Sequence, residues 1–173
     1  PNRGSNSVSV IEGLAAGPPE WKITAIPVPG TRPEGLDLSP DGSELWTATR
    51  GDGGVVIIDT ATQRVKESFN LGLTDANRLK ITPDGKVLIL DGGTGTLIVI
   101  DAVSRKEIKR LKVAEGDHGD GGIFVTADGA RAYLGLRDDH SVAVINLETL
   151  EIENRFAMGP DSGPGCIIWA ALN

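Results

Sequence analysis

Ser39-Pro40-Asp41-Gly42, Thr82-Pro83-Asp84-Gly85 and Thr126-Ala127-Asp128-Gly129 are three versions of one phrase, and their spacing decides the fold. Asp41 to Asp84 is 43 residues, and Asp84 to Asp128 is 44. A second marker keeps step: Ile58-Asp59-Thr60-Ala61-Thr62, Ile100-Asp101-Ala102-Val103-Ser104 and Ile145-Asn146-Leu147-Glu148-Thr149. Two independent markers moving at one period make the chain a tandem repeat.

Working outward from the Asp-Gly turn, each unit has the same parts. Alternating apolar residues (Leu36 and Leu38, Leu79 and Ile81, Ile123 and Val125) lead into it, which puts them on one face of a first strand. Asp-Gly supplies the positive φ angles of a tight hairpin, so a second strand follows at 44–49, 87–90 and 131–136. After a Gly/Asp-rich loop comes a nearly continuous apolar run (55–58, 97–100, 142–145), as expected of a third strand buried on both faces. A fourth, more charged strand (64–70, 107–113, 152–158) suits an outer edge facing water. The Lys/Glu-rich stretch 104–114 has the propensity of a short helix, but its place in the repeat predicts a strand.

Four antiparallel strands every ~40–45 residues is the spacing of propeller blades. The sequence therefore predicts an all-β chain, a β-propeller built from four-stranded antiparallel blades with about four repeats. Blades are expected at 31–72, 73–115 and 116–159. Residues 5–30 are expected to supply the third and fourth strands of one blade, and 160–173 the first strand of another. The end pieces could join into a composite fourth blade, which leaves no open edge. Alternatively the chain is a segment of a larger, seven-blade type ring completed by missing sequence or by a second chain. The crowding of a four-blade ring favours the second arrangement. The chain opens Pro-Asn-Arg-Gly-Ser without an initiator Met, which suggests a processed or truncated start.

Composition narrows the function classes. Lys plus Arg is 17 against 24 Asp plus Glu, a net charge of −7, which disfavours nucleic acid as a partner. No apolar run approaches the about 20 residues a membrane helix needs, so membrane insertion is not expected. The single cysteine, Cys166, excludes an internal disulfide and a Cys-rich zinc site, and its place in a first strand suggests a small apolar core role. Trp46 and Trp169 fall at strand positions and suit blade packing. The Gly-rich stretches 51–54 and 91–96 lack the Gly-Lys-Ser/Thr ending of a phosphate loop, and no Gly-x-Ser-x-Gly elbow is present.

The Ser/Thr-Pro-Asp-Gly turns, with Val56-Ile57-Ile58-Asp59-Thr60-Ala61-Thr62, Ile98-Val99-Ile100-Asp101 and Val142-Ala143-Val144-Ile145-Asn146, resemble the YVTN family of β-propeller repeat proteins of the surface-layer type. The match runs over roughly 32–170. The family's tyrosine-valine element is replaced by Leu45-Trp46-Thr47-Ala48, Val87-Leu88-Ile89-Leu90 and Ala132-Tyr133-Leu134-Gly135. The resemblance implies a bacterial or archaeal protein, periplasmic or secreted, with a seven-blade ring. Similar, more distant propellers are lactonases, lyases or scaffold subunits of redox enzymes, so the resemblance implies a fold better than a reaction.

In a propeller the loops before the first strand and between the second and third strands gather at one channel mouth. There the repeat offers Arg32 and Glu34, Asn77 and Arg78, Arg50, Asp91 and Arg137 as ligand-binding candidates. Arginine forks suit a small polar or anionic ligand, or a protein partner. Structural pairing of the arginines with Asp91 explains them equally well. Asp117 and Asp120 are candidate ligands for a divalent cation, with His118 beside them and His140 in the next loop. A turn-rich loop capped by its own Asp side chains is the simpler alternative. The leading expectation is a non-catalytic binding or scaffold propeller. Its rival is a cation-dependent hydrolase or lactonase with His118 or His140 as general base. A third reading is a structural surface or assembly module.

Overall fold

The computed structural model describes residues 1–115, 121–168 and 170. Blade one consists of β3 (Pro33–Leu38), β4 (Glu44–Thr49), β5 (Gly54–Asp59) and β6 (Arg64–Asn70). Blade two consists of β7 (Ala76–Ile81), β8 (Lys86–Asp91), β9 (Thr96–Asp101) and β10 (Glu107–Lys112). Blade three consists of β11 (Ile123–Val125), β12 (Arg131–Leu136), β13 (Ser141–Asn146) and β14 (Glu151–Ala157). Each is a four-stranded antiparallel meander in chain order, the architecture of propeller blades. Ahead of them, β1 (Ser7–Glu12) and β2 (Lys22–Pro27) form a two-stranded antiparallel sheet. The stretch with helical propensity is strand β10, because its ladder to β9 outweighs local preference.

The repeated turn works through its hydroxyl and its carboxylate. The hydroxyls of Ser39, Thr82 and Thr126 donate to Asp41, Asp84 and Asp128 at 2.6, 2.5 and 2.6 Å. The same oxygens accept the backbone N–H of Glu44, Lys86 and Arg131 at 2.9, 2.8 and 3.0 Å, closing the hairpin. The Ser39 hydroxyl foremost, then the Ser43 N–H and hydroxyl, donate to the Asp41 carboxylate and hold it at a pKa of about 2. The Asp takes no positive φ; only Gly42, Gly85 and Gly129 do, at 71°, 85° and 70°. In the first two turns Pro40 and Pro83 lock φ near −65° at the second position; the third has Ala127 there and closes with the same single left-handed glycine. The second marker is a turn of the same logic. Asp59, Asp101 and Asn146 accept N–H groups of Thr62, Ser104 and Thr149, and Gln63, Arg105 and Leu150 follow at φ 55°, 62° and 56°.

Alternate faces of the third strands β5 and β9 serve two neighbours. Val55 and Ile57 pack with Ile98, Ile100, Val87 and Ile89 between blades one and two. Val56 and Ile58 pack with Val8 and Ile26 of the leading sheet and with Val28 just after it. Leu97 and Val99 pack with Ala143, Ile145 and Leu134 between blades two and three. Continuous apolar runs thus follow from burial on both faces, while β14 is exposed along its whole length. Side chains tie the blades at regular places. Arg110 donates to the Leu71 carbonyl at 2.9 Å, and Arg155, in the corresponding place one blade on, donates to the Val113 carbonyl at 2.5 Å. Nearer the centre, Asp37 accepts the Ile81 N–H at 3.0 Å. Trp46 is fully buried, as blade packing requires: it meets Phe69 edge-on at 6.2 Å, lies under the Arg105 guanidinium at 4.8 Å and donates to Glu44 at 3.0 Å.

The C-terminal segment departs from the expected first strand. Residues 162–168 pair with no strand among the described residues, and Cys166 is exposed rather than in the core. The segment still lies against blade three, where Gly122 and Gly135 face the backbone of Gly165 and Pro164. Trp169 lies outside the described residues.

Gly35 marks how closely blades one and two approach. A Cβ there would stand 2.4 Å from the Leu79 nitrogen and 2.7 Å from the Arg78 carbonyl carbon. Because those are backbone atoms, Gly35→Ala must push two first strands apart and is expected to cost about 1–3 kcal/mol. Gly4→Ala, with no atom within 4 Å, should be neutral. Urea unfolding followed by tryptophan fluorescence checks the pair, and equal midpoints would refute the close-approach account.

Candidate functional site

The loops at one end of the blades bring the predicted residues into two adjoining groups. The first centres on Glu34, whose carboxylate accepts from Arg50 at 3.0 Å, Arg78 at 2.5 Å and Arg3 at 3.0 Å. Arg50 also grips Asp75 with both arms of its guanidinium: Nε reaches Oδ1, and Nη2 lies 2.7 Å from Oδ2. Asn77, fully buried, donates to Asp75 at 3.4 Å. Arg78 donates in addition to the Asn77 carbonyl at 3.0 Å.

Asp91 has a different job from Arg pairing. Only 2% exposed, it accepts from the Asp75 N–H at 2.7 Å, the Thr74 hydroxyl at 3.1 Å and the Thr94 hydroxyl at 2.8 Å. It shapes the loop that holds Asp75 against Arg50, and it presents no free carboxylate to a ligand. Arg32 contributes backbone: at φ 57° its N–H donates to Asn6 at 2.9 Å and its carbonyl accepts from Arg50 N–H at 3.1 Å. Asp75 and Arg3 were not among the sequence candidates. Asp75 occupies the place in blade two that Arg32 holds in blade one, which was a usable signal, whereas pairing across blades left no trace in the spacing.

Electrostatics follow from this geometry. Burial pushes the Glu34 carboxyl up, but the hydrogen bonds and charges of Arg78 and Arg50 outweigh it and hold the group below the ordinary glutamate range. The Arg50 guanidinium is raised, chiefly by its bond to Asp75. Arg50, Glu34 and Asp75 side chains are only 13%, 15% and 18% exposed, so this first group is a packed ion network.

The second group lines a cavity of about 650 Å³ between blades two and three and the segment after β14. Its walls include Arg78, Arg137, Asp138, His140, Asp161 and Cys166. His140 sits at φ 51° with its ring Nδ1 against the Ser162 carbonyl oxygen. Arg137 packs its stem over Gly163, and its guanidinium makes no hydrogen bond or ion pair among the described residues. Arg78 belongs to both groups, one nitrogen anchored on Glu34 while the side chain is 28% exposed. The volume lies in the range of small-ligand sites. Asp117, His118 and Asp120, the expected cation cluster, lie outside the described residues.

With this geometry in view, the likenesses to solved proteins support the architecture. The chain superposes on virginiamycin B lyase from Staphylococcus aureus with a TM-score of 0.78 at 17% identity, over 94% of this chain and 52% of that one. A chain of the Mitotic Checkpoint Complex gives 0.77 at 15% identity, over 95% and 49%. Kuenenia stuttgartiensis hydrazine synthase gives 0.68 at 25% identity, over 78% and 38%. These neighbours establish a set of β-propeller blades. The chain spans about half the length, or less, of the solved chains it matches. No protein-family model matches it, and no curated protein does.

Two outcomes follow from the ion network. Arg50→Gln leaves Glu34 and Asp75 without their shared counter-charge and should lower stability by about 1–3 kcal/mol, read by chemical unfolding. Glu34 is depressed in the folded state, so its contribution is present above the ordinary glutamate value, about pH 4.3, and is lost as pH falls through the lower folded value. Glu34→Gln should therefore flatten the stability profile below about pH 4.3, and an unchanged acid limb would show that the network does not carry it.

Proposed function

We propose that this chain is a non-catalytic binding propeller whose channel mouth receives a small polar ligand or a polar segment of a protein partner. The division between the two groups of arginines carries this reading. Arg50 is consumed by the scaffold, while Arg137 stands in an open cavity with Arg78 fixed beside it. A rigid frame that holds charged side chains around a cavity is what binding requires, because little order has to be created when the ligand arrives. The protein-partner form draws support from the neighbour that belongs to the Mitotic Checkpoint Complex, where a similar fold works inside an assembly. We place the chain among YVTN-type repeat proteins, periplasmic or secreted, on the strength of its repeated turn and strand phrases.

Thermal-shift screening against small polar compounds, followed by calorimetry on each compound that stabilises the chain, tests the reading. Arg137→Ala should weaken such a ligand about tenfold or more while leaving the melting temperature of the free protein within about 1 °C, since the side chain is exposed. Unchanged affinity in that variant would remove the mouth as the site. Calcium or zinc binding that disappears in Asp120→Ala would transfer support to the cation-assisted hydrolase.

A further inference from the structure

The cavity at the mouth is lined by charges of both signs that leave one another unneutralised. Arg78 and Arg137 enter it from blades two and three; Asp138 follows Arg137, and Asp161 comes from the segment after β14. Arg137, Asp138 and Asp161 form no ion pair with one another or with any other described residue. Arg155 takes the neighbouring Asp139 instead, at 3.5 Å. Arg78 gives one nitrogen to Glu34, which fixes its direction and leaves the rest of its fork uncommitted to that carboxylate.

Such walls discriminate by charge pattern. A simple anion gains Arg78 and Arg137 but meets the carboxylates of Asp138 and Asp161, and a simple cation meets the reverse. At about 4 Å each like-charge contact costs about 1 kcal/mol even in bulk water, and more beside a protein surface. A ligand carrying one carboxylate and one ammonium turns all of these contacts favourable. Arginine takes a carboxylate through two parallel N–H bonds, and an ammonium offers three donors to carboxylate oxygens. The volume of about 650 Å³ accommodates a molecule of dipeptide size with its two charged ends apart.

From this we infer that the mouth binds a zwitterion of the amino-acid or short-peptide class, its carboxylate on Arg137 and Arg78 and its ammonium on Asp161 and Asp138. This rests on the binding reading above and narrows it to one ligand chemistry.

Head-group dissection tests it with three probes on the whole chain: alanyl-alanine, its N-acetyl form, which keeps only the anion, and its amide, which keeps only the cation. Calorimetry should show alanyl-alanine binding more than about fivefold tighter than either blocked form. Arg137→Gln should lower alanyl-alanine affinity to that of the amide, and Asp161→Asn to that of the N-acetyl form. Both side chains are exposed, and asparagine tolerates the left-handed backbone of Asp161 at φ 60°, so both variants fold. If the N-acetyl form binds within about fivefold of alanyl-alanine, the mouth is a plain anion site: the zwitterion inference falls and the binding reading stands. The amide binding that well overturns it in the same way. No binding of any probe up to about 10 mM overturns the inference and takes the small-ligand form of the binding reading with it.

Discussion

Apolar faces stacked between neighbouring sheets are the constraint on which the rest of this structure depends. The third strands β5 and β9 are each sandwiched between two sheets, so both their faces must be aliphatic, and Ile57 and Ile98 show how completely water is excluded. Layers of this kind are non-directional and would permit many sheet angles. The angle is set by directional contacts laid over them: the arginine staples of Arg110 and Arg155, the Asp37 bond to Ile81, and the bare backbone at Gly35 that lets two first strands touch.

The same close approach creates the electrostatics of the mouth. Once the first strands of blades one and two meet, Glu34 of β3 and Arg78 of β7, 44 residues apart in sequence, come within hydrogen-bond reach together with Arg50 and Asp75. Their mutual pairing offsets the cost of holding charge in a partly buried place. A network of this kind is rigid, and it gives the adjoining cavity a fixed wall at Arg78. Arg137, Asp138 and Asp161, on the far side, keep their charge available.

Much of the fold was legible because each repeat solves the same local problems with the same residues. Ser/Thr-Pro-Asp-Gly reads as a turn since its hydroxyl and carboxylate close the hairpin without help from elsewhere. The expected first strand at 160–173 has the apolar pattern of a strand, but strand formation needs a partner, and residues 162–168 pair with none among the described residues. Cys166 is exposed for the same reason. The site was half legible. Aligning the repeats gathers Glu34, Arg50, Arg78, Arg137 and His140 at one end of the blades, while the pairing of Asp75 with Arg50 and the inward turn of Asp91 depend on contacts that spacing does not show.

By itself the sequence determined the period, the turns, the strand order within a blade and the burial of the third strands, because these depend on contacts within about forty residues. Only the tertiary structure decided which arginine is spent and which is available. Arg50 and Arg137 hold equivalent places in their blades, yet one faces Asp75 across a blade boundary and the other faces an open cavity. That difference arises from what the neighbouring blade brings alongside, and Coulomb interaction is governed by distance in space rather than distance along the chain.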